Sequence, residues 1–401
     1  MIFPWHQSGA QVADGQRHCM TPEMSERLEE RGMFPHFTTP SFKTEDKNQM
    51  VLVPVVFHVI HEDGQENLHD SLLQNQIEVL NEDYGRYGGG ANDDPAGADA
   101  RIRFCLASID PNGNPSNGVV RVKSPLTDLL TEEEMLTKDL SRWPVERYLN
   151  IWIVRSIDGN SRTQGYSYYA SQAANQPFDG VVMVYRFVGR NTPHSPIYRL
   201  GHTMSHEVGH YFNLPHPWGS DQSGEGGCDD DDGIDDTPLC SGQFFASPPL
   251  CPEPEQCGFV RQTANFMDYS TDDCMNVFTA GQKKAMRDAI FTYRPELTTF
   301  TNLVESGCQE DFIDYSEVTE DELDIYYRQD DQSLILNALF DDRESVTVMV
   351  YNVQGKLLGE RTFPEILIAQ QKISLGTLSS GLYVVKALYG GIAKTVKIVV
   401  Y

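Results

Sequence analysis

No apolar run in the 401-residue chain is long enough to cross a bilayer, so no membrane-spanning helix is expected. Positive charge is scarce: 31 Lys and Arg face 58 Asp and Glu, a formal charge of −27. That balance argues against nucleic acid or an anionic membrane as partner. It suits a soluble secreted protein with carboxylates available to hard cations or cationic peptides, although solubility alone accounts for it equally well. Met1-Ile2-Phe3-Pro4-Trp5-His6 lacks a basic leader followed by an apolar core. No signal peptide is legible there, so the chain reads as already processed or trimmed, or as not exported by that route. Cys-x-x-Cys pairs are missing as well, which weakens a structural zinc held by thiolates. Of the eight cysteines, five fall between Cys228 and Cys274 in a loop-rich stretch, a clustering that favours disulfides in an oxidising compartment.

Hydrophobic residues make up 40% of the chain, ample for folded cores, and the length suggests two or three domains. Residues 1–48 are polar and irregular. Val51 to Ile60 is β-branched and nearly continuous, as a buried strand is. Leu73, Ile77, Leu80 and Tyr84 recur at helical spacing, predicting an amphipathic helix over 71–86 that stops at Gly88-Gly89-Gly90. Strands are expected at Ile102–Leu106, Tyr148–Ile157 and Val181–Val188, and helices at 198–212 and 279–292. Residues 217–264 are rich in Gly, Pro and Asp and read as irregular. Acidic residues with little apolar pattern, 306–330, read as a linker. Short strands follow at Leu334–Leu336, Val346–Tyr351, Leu382–Val385 and Thr395–Val400. Their spacing indicates a small all-β sandwich over 331–401.

The segment His206-Glu207-Val208-Gly209-His210-Tyr211-Phe212-Asn213-Leu214-Pro215-His216 carries the chemistry. On a helix, His206 and His210 share a face and can present two imidazoles to one metal. His216 must arrive from another direction. Asn213 tolerates a left-handed backbone and Pro215 cannot continue a helix, so a turn is built in. Three imidazoles with an open fourth position describe a catalytic zinc, and Glu207 is then the general base for a water. The motif predicts a zinc-dependent peptidase.

This signature resembles that of the metzincin metallopeptidases, with Asn213 where the family often has Gly. Asn265-Phe266-Met267-Asp268-Tyr269 is similar to the metzincin Met-turn. By that likeness Met267 forms the apolar floor beneath the metal, and Tyr269 approaches it to stabilise the reaction intermediate. More specifically, residues 50 to 295 resemble the pappalysin (cytophagalysin) branch. The likeness rests on Val55–Ile60, Asp110-Pro111-Asn112-Gly113, Asp229–Pro238 and Asp272–Thr279. It implies an α+β catalytic domain over 49–305, a twisted mixed sheet with helices above the cleft and an irregular cystine-bearing subdomain below.

The same resemblance implies disulfides Cys228–Cys257 and Cys251–Cys274, leaving Cys240 over, and a structural calcium. Asp232, Asp235 and Asp236 are the candidates for that ion, a solvated acidic loop being the competing reading. It also implies that Asp273 lies at the base of the pocket for the residue after the cut, where a buried carboxylate would select Arg or Lys. Arg17-His18-Cys19-Met20-Thr21 is similar to the latency segment of some members. Cys19 is either a thiolate on the open zinc position or a disulfide partner of Cys105 or Cys308. In the first case residues 1–48 are a pro-segment, with Lys43 and Lys47 as self-cleavage sites. The last domain resembles the sorting domain of the type IX secretion system, through Val350–Lys356 and Leu378–Tyr383; a substrate- or glycan-binding sandwich is the alternative. The expected protein is a latent, secreted or cell-surface zinc endopeptidase acting on proteins and peptides, with the secretion machinery as partner. A non-catalytic zinc-binding surface protein or adhesin of the same fold is the other reading, against which Glu207 counts.

Overall fold

The computed structural model describes residues 18–36, 50–190, 198–219, 228–244, 246, 251–308, 322–328, 333–374 and 378–400. Arg17, Lys43 and Lys47 lie outside the described residues. Two compact units divide the chain: Met1–Phe42, Val56–Ala100 and Val119–Arg294 in the first, Lys43–Val55, Arg101–Gly118 and Pro295–Tyr401 in the second.

In chain order the described elements begin with β1 (His18–Cys19), α1 (Thr21–Glu29), β2 (Val51–His61), α2 (Asp70–Gly85), β3 (Ile102–Leu106) and β4 (Val119–Lys123). Next come β5 (Asp128–Leu129), α3 (Glu134–Lys138), β6 (Leu149–Val154), β7 (Ser156–Ile157), β8 (Thr163–Tyr166), α4 (Ala170–Ala173), β9 (Val181–Val184) and α5 (His202–Tyr211). Then follow β10 (Glu255–Gln256), β11 (Phe259–Val260), α6 (Ala280–Tyr293) and α7 (Phe300–Glu305). In the first unit the sheet runs β1-β8-β9-β6-β2, with β4 parallel to residues 57–61 of β2. Strands β6 and β9 are parallel, β8 and β9 antiparallel, so the sheet is mixed. In the second unit residues 51–55 of β2 pair with β3, where Cys105 is bonded to Cys308.

Local chemistry explains the helix ends. His69 caps α2 by accepting from the Ser71 N–H at 3.2 Å, and the helix stops where Arg86 turns left-handed at φ 56. Thr279 and Gln282 cap α6 reciprocally, a capping box. All of β2 is buried, as its unbroken apolar run requires.

The second unit also holds a five-stranded antiparallel sheet of β12 (Glu322–Arg328), β13 (Ser333–Asn352), β14 (Leu357–Ser374), β15 (Gly381–Tyr389) and β16 (Ile392–Val400). Leu323, Ile325, Leu334, Leu336, Val348 and Val385 lie among its core residues. β13 pairs with β12 along its first half, with β15 along its second, and with β14 on both halves, the last with register breaks between Leu339 and Val346.

Several boundaries differ from expectation. The polar N-terminal stretch contains α1, whose Met24 and Leu28 are buried. The strand expected at Tyr148–Ile157 breaks at Arg155, whose N–H bonds the Thr127 carbonyl at 2.8 Å. The strand expected to reach Val188 ends at Val184. The acidic linker of 306–330 ends sooner than expected, because Glu322–Arg328 is a strand. Its alternation of acidic residues with Leu323 and Ile325 is the period-2 signal that net charge masked. Leu334–Leu336 and Val346–Tyr351 belong to one long strand, and β14 had no counterpart in the sequence reading.

Candidate active site

Helix α5 is buried along its whole length. Its start is held by the buried Asp272 carboxylate, which accepts from the N–H groups of Leu200 at 2.7 Å and Gly201 at 3.1 Å. Gly201 takes φ 86, a left-handed conformation that favours glycine. One turn in, the buried Asp83 accepts from His202 Nδ1 at 2.8 Å and from the Ser205 hydroxyl. His202 therefore pairs with Asp83 rather than joining the metal group.

His206 and His210 stand on one face of α5, ring centroids 4.6 Å apart. The helix closes with the Asn213 N–H on the His210 carbonyl at 2.7 Å and the Leu214 N–H on the Gly209 carbonyl at 3.0 Å. Asn213 sits at φ 72, so this is a left-handed Schellman stop built with Asn in place of Gly. Two residues past Leu214, His216 turns back towards the other two rings. The Nε2 atoms of His206 and His210 are 3.1 Å apart, those of His210 and His216 3.1 Å, and those of His206 and His216 3.3 Å.

The fit to a metal follows from protons. His206 Nδ1 donates to the Phe266 carbonyl at 2.8 Å and His210 Nδ1 to the Leu214 carbonyl at 2.6 Å. That tautomer leaves a lone pair on each Nε2. Lone pairs aimed at one another in a buried pocket repel unless a cation lies among them, and three nitrogens suit zinc. Among the described residues, the single group of three or more His, Cys, Asp or Glu side chains with ligand atoms within 4.8 Å of one another is Cys19, His206, His210 and His216.

Around this group, Met267 and Tyr269 are buried. The Met267 N–H is held by Asn265 Oδ1 at 2.9 Å. Its sulfur packs so closely on Gly209 that a Cβ there would collide with it. The Tyr269 ring is 4.9 Å from His216, and its hydroxyl donates to the Cys19 carbonyl at 3.4 Å. Glu207 is wholly buried; its Oε2 accepts from the Cys19 thiol at 3.3 Å and the Thr21 hydroxyl at 3.2 Å. β1 lies parallel to β8 at the edge of the sheet, with Cys19 opposite Gly165, which carries Cys19 into the group.

Of the two readings of Cys19, the disulfide is excluded, because Cys105 and Cys308 bond each other. Cys228–Cys257 and Cys251–Cys274 form as the resemblance implied, and Cys240 is a buried free thiol whose pKa burial pushes up to about 12. Asp273 departs from expectation. It is exposed rather than buried and pairs with Arg199 at 3.4 Å, while its neighbour Asp272 is the buried carboxylate. Asp232, Asp235 and Asp236 do not gather as a ligand group. Asp235 is exposed, and Asp236 accepts from the Thr279 hydroxyl at 2.6 Å and the Gly281 N–H at 2.8 Å. Asp232 is buried with its carboxyl pushed up to about 7 by desolvation.

Sequence reasoning missed three supports. Trp218 stacks on His216 with ring centroids 4.5 Å apart. Arg261 lies over Trp218 and pairs with Asp268 through two 2.7 Å bonds, anchoring the residue after Met267. Thr21 reaches Glu207. The last joins residues 186 positions apart; Trp218 is two residues from His216 and Arg261 seven from Asp268, contacts set by irregular turns that leave no period in the sequence.

Comparison with known proteins agrees with this geometry. Residues 132–291 match the M43 peptidase family described as pregnancy-associated plasma protein-A, and residues 331–401 match the secretion system C-terminal sorting domain. An extracellular metalloprotease of Sordaria macrospora is 30% identical over 253 residues, covering 60% of this chain and 75% of its own. Mature mirolysin of Tannerella forsythia, solved with a cleaved peptide, is 34% identical, with a TM-score of 0.57 over 66% of this chain and 98% of its own. A promirolysin mutant from the same organism is 30% identical, with a TM-score of 0.59 over 71% of this chain and 97% of its own. The chain belongs to the pappalysin metallopeptidases, and with its sorting domain it is a secreted metalloendopeptidase.

Proposed function

We propose that His206, His210 and His216 hold one catalytic zinc and that Glu207 and Tyr269 perform the proton and charge transfers of peptide hydrolysis. The convergence of three Nε2 atoms at 3.1 to 3.3 Å, two with Nδ1 committed to carbonyls, carries this reading. Zinc supplies Lewis acidity there, polarising the scissile carbonyl and making water a better nucleophile at neutral pH. Glu207, adjacent to the first ligand, takes the proton from the attacking water and passes it to the leaving amine, which departs neutral. The Tyr269 hydroxyl donates to the oxygen on which negative charge develops. Met267 and Trp218 keep the imidazoles packed and dry. Replacing Glu207 by Gln keeps the side-chain volume and removes the base. Turnover of a denatured protein substrate should fall by at least about a thousandfold, with one zinc per chain still bound by elemental analysis. Retained activity in that variant would overturn the assignment.

Three finer readings accompany it. The chain is made latent, with residues 1–48 as the pro-segment. Support comes from the Cys19 thiol, which is in no disulfide and is buried among the three imidazoles and against Glu207, where it bars water from both. Second, Asp273 favours Arg or Lys after the cut. Its partner Arg199 is half exposed, and such a pair is weak enough for a basic substrate side chain to displace. Third, calcium binds near Asp232, whose carboxyl is buried and has one oxygen, Oδ2, without a hydrogen-bond partner among the described residues. A hard cation is the natural complement of such a group.

A further inference from the structure

Beyond the metal group, the N-terminal segment is held at a second place, by groups that touch only its backbone. The His36 N–H donates to Ser171 Oγ at 2.9 Å. The Ser171 hydroxyl donates to Asn213 Oδ1 at 2.7 Å, and the Ser171 N–H donates to the same oxygen at 2.9 Å. Asn213 Nδ2 then donates to the His36 carbonyl at 2.9 Å. Three of these bonds close a ring that satisfies both main-chain groups of His36, as a neighbouring β-strand would, and the Ser171 N–H braces it. Beside it, Gln172 Nε2, also from α4, donates to the Met33 carbonyl at 2.9 Å. The side chains of Phe34 and His36 are exposed, so they take little part in this contact.

From this geometry we infer that Ser171, Gln172 and Asn213 form a clamp for peptide backbone, distinct from the metal ligands, that retains the pro-segment of the latent enzyme. The inference rests on the latency reading above. It also assigns a use to Asn213. At φ 72 glycine would serve the turn at least as well, but glycine has no amide to offer His36. Any cut after residue 36 leaves both the clamp and the Cys19 contact intact. The severed pro-segment therefore stays bound as a non-covalent inhibitor, and release, rather than cleavage, sets the rate of activation.

The test uses the zinc-loaded full chain and four variants: Cys19→Ala, Ser171→Ala, His36→Ala and His36→Pro. After cleavage, the N-terminal fragment is followed by size-exclusion chromatography and the appearance of peptidase activity by a fluorogenic peptide. In the parent and in His36→Ala the fragment should co-elute with the enzyme, because an alanine keeps both main-chain groups. His36→Pro lacks the N–H and Ser171→Ala lacks the bridging hydroxyl. In both, the fragment should be lost from the enzyme peak and activity should appear on the order of tenfold sooner. The His36 variants release an enzyme of unchanged sequence, so their difference cannot come from the mature site. Co-elution and lag equal to the parent in both His36→Pro and Ser171→Ala would overturn the clamp. An uncleaved parent as active as Cys19→Ala would instead overturn latency itself, so the two failures are distinct.

Discussion

Single side chains in this protein are decided by what surrounds them. Asp272 and Asp273 are adjacent and chemically identical, yet one is buried on the backbone at the start of α5 and the other meets solvent beside Arg199. Only the second can be approached by a substrate side chain. An exposed ion pair contributes little, so a cationic substrate that displaces Arg199 loses little in doing so. We expect Asp273→Ala to lower the preference for Arg over Leu after the cut by roughly fivefold to tenfold in kcat/KM, with cleavage of the Leu peptide changed much less. An unaltered ratio in a matched pair of peptides would remove Asp273 from specificity.

Between elements, the decisive contact is α5 against the Met-turn. Helix propensity alone favours Ala over Gly in a helix interior by about 1 kcal/mol. Gly209 nevertheless sits where a Cβ would strike the Met267 sulfur. The Met267 side chain is wholly buried, so its sulfur cannot move aside without displacing what packs on it, and its backbone cannot follow easily. Its own N–H is held by Asn265, and the next residue, Asp268, is locked by Arg261 in a buried bidentate pair. Gly209→Ala should therefore lower stability by roughly 1–3 kcal/mol and weaken zinc retention against a chelator. A higher Tm with unchanged zinc retention would show that propensity wins and that the floor is more yielding than this packing implies.

For the whole molecule, the strong net negative charge makes cations and pH natural variables. Asp232 has its carboxyl raised from 3.8 to about 7 by burial. In calcium-free protein the folded state keeps a proton that the unfolded state releases above about pH 4. Stability then falls as pH rises through the window from about 4 to about 7, and the loss is complete above it. Calcium, which requires the ionised carboxylate, should reverse this loss. The gain in Tm on adding calcium to an EGTA-treated, zinc-loaded sample should be roughly 5 °C or more at pH 8 and smaller at pH 5. Asp232→Asn should abolish the difference. Equal calcium responses at both pH values, or none at either, would exclude an ion linked to Asp232.

How much of this was legible depends on the range over which each feature is encoded. His206, His210 and Glu207 share one helix, and the stop at Asn213 and Pro215 is written in residues whose backbone preferences are intrinsic. The clustering of the three histidines could therefore be read from spacing. The apolar runs of β2 and α2 were equally plain, because burial on one face or two leaves a period in the sequence. The chain by itself thus determined a zinc-type helix, a turn to a third imidazole and a β-rich final domain. Tertiary structure alone decided that Cys19 meets Glu207 across 188 residues, that His36 is gripped by Ser171 and Asn213, and that Asp272 rather than Asp273 is buried. Periodicity reports which way a side chain faces along its own element. Which distant group it then meets depends on how the elements pack, and that leaves no local trace.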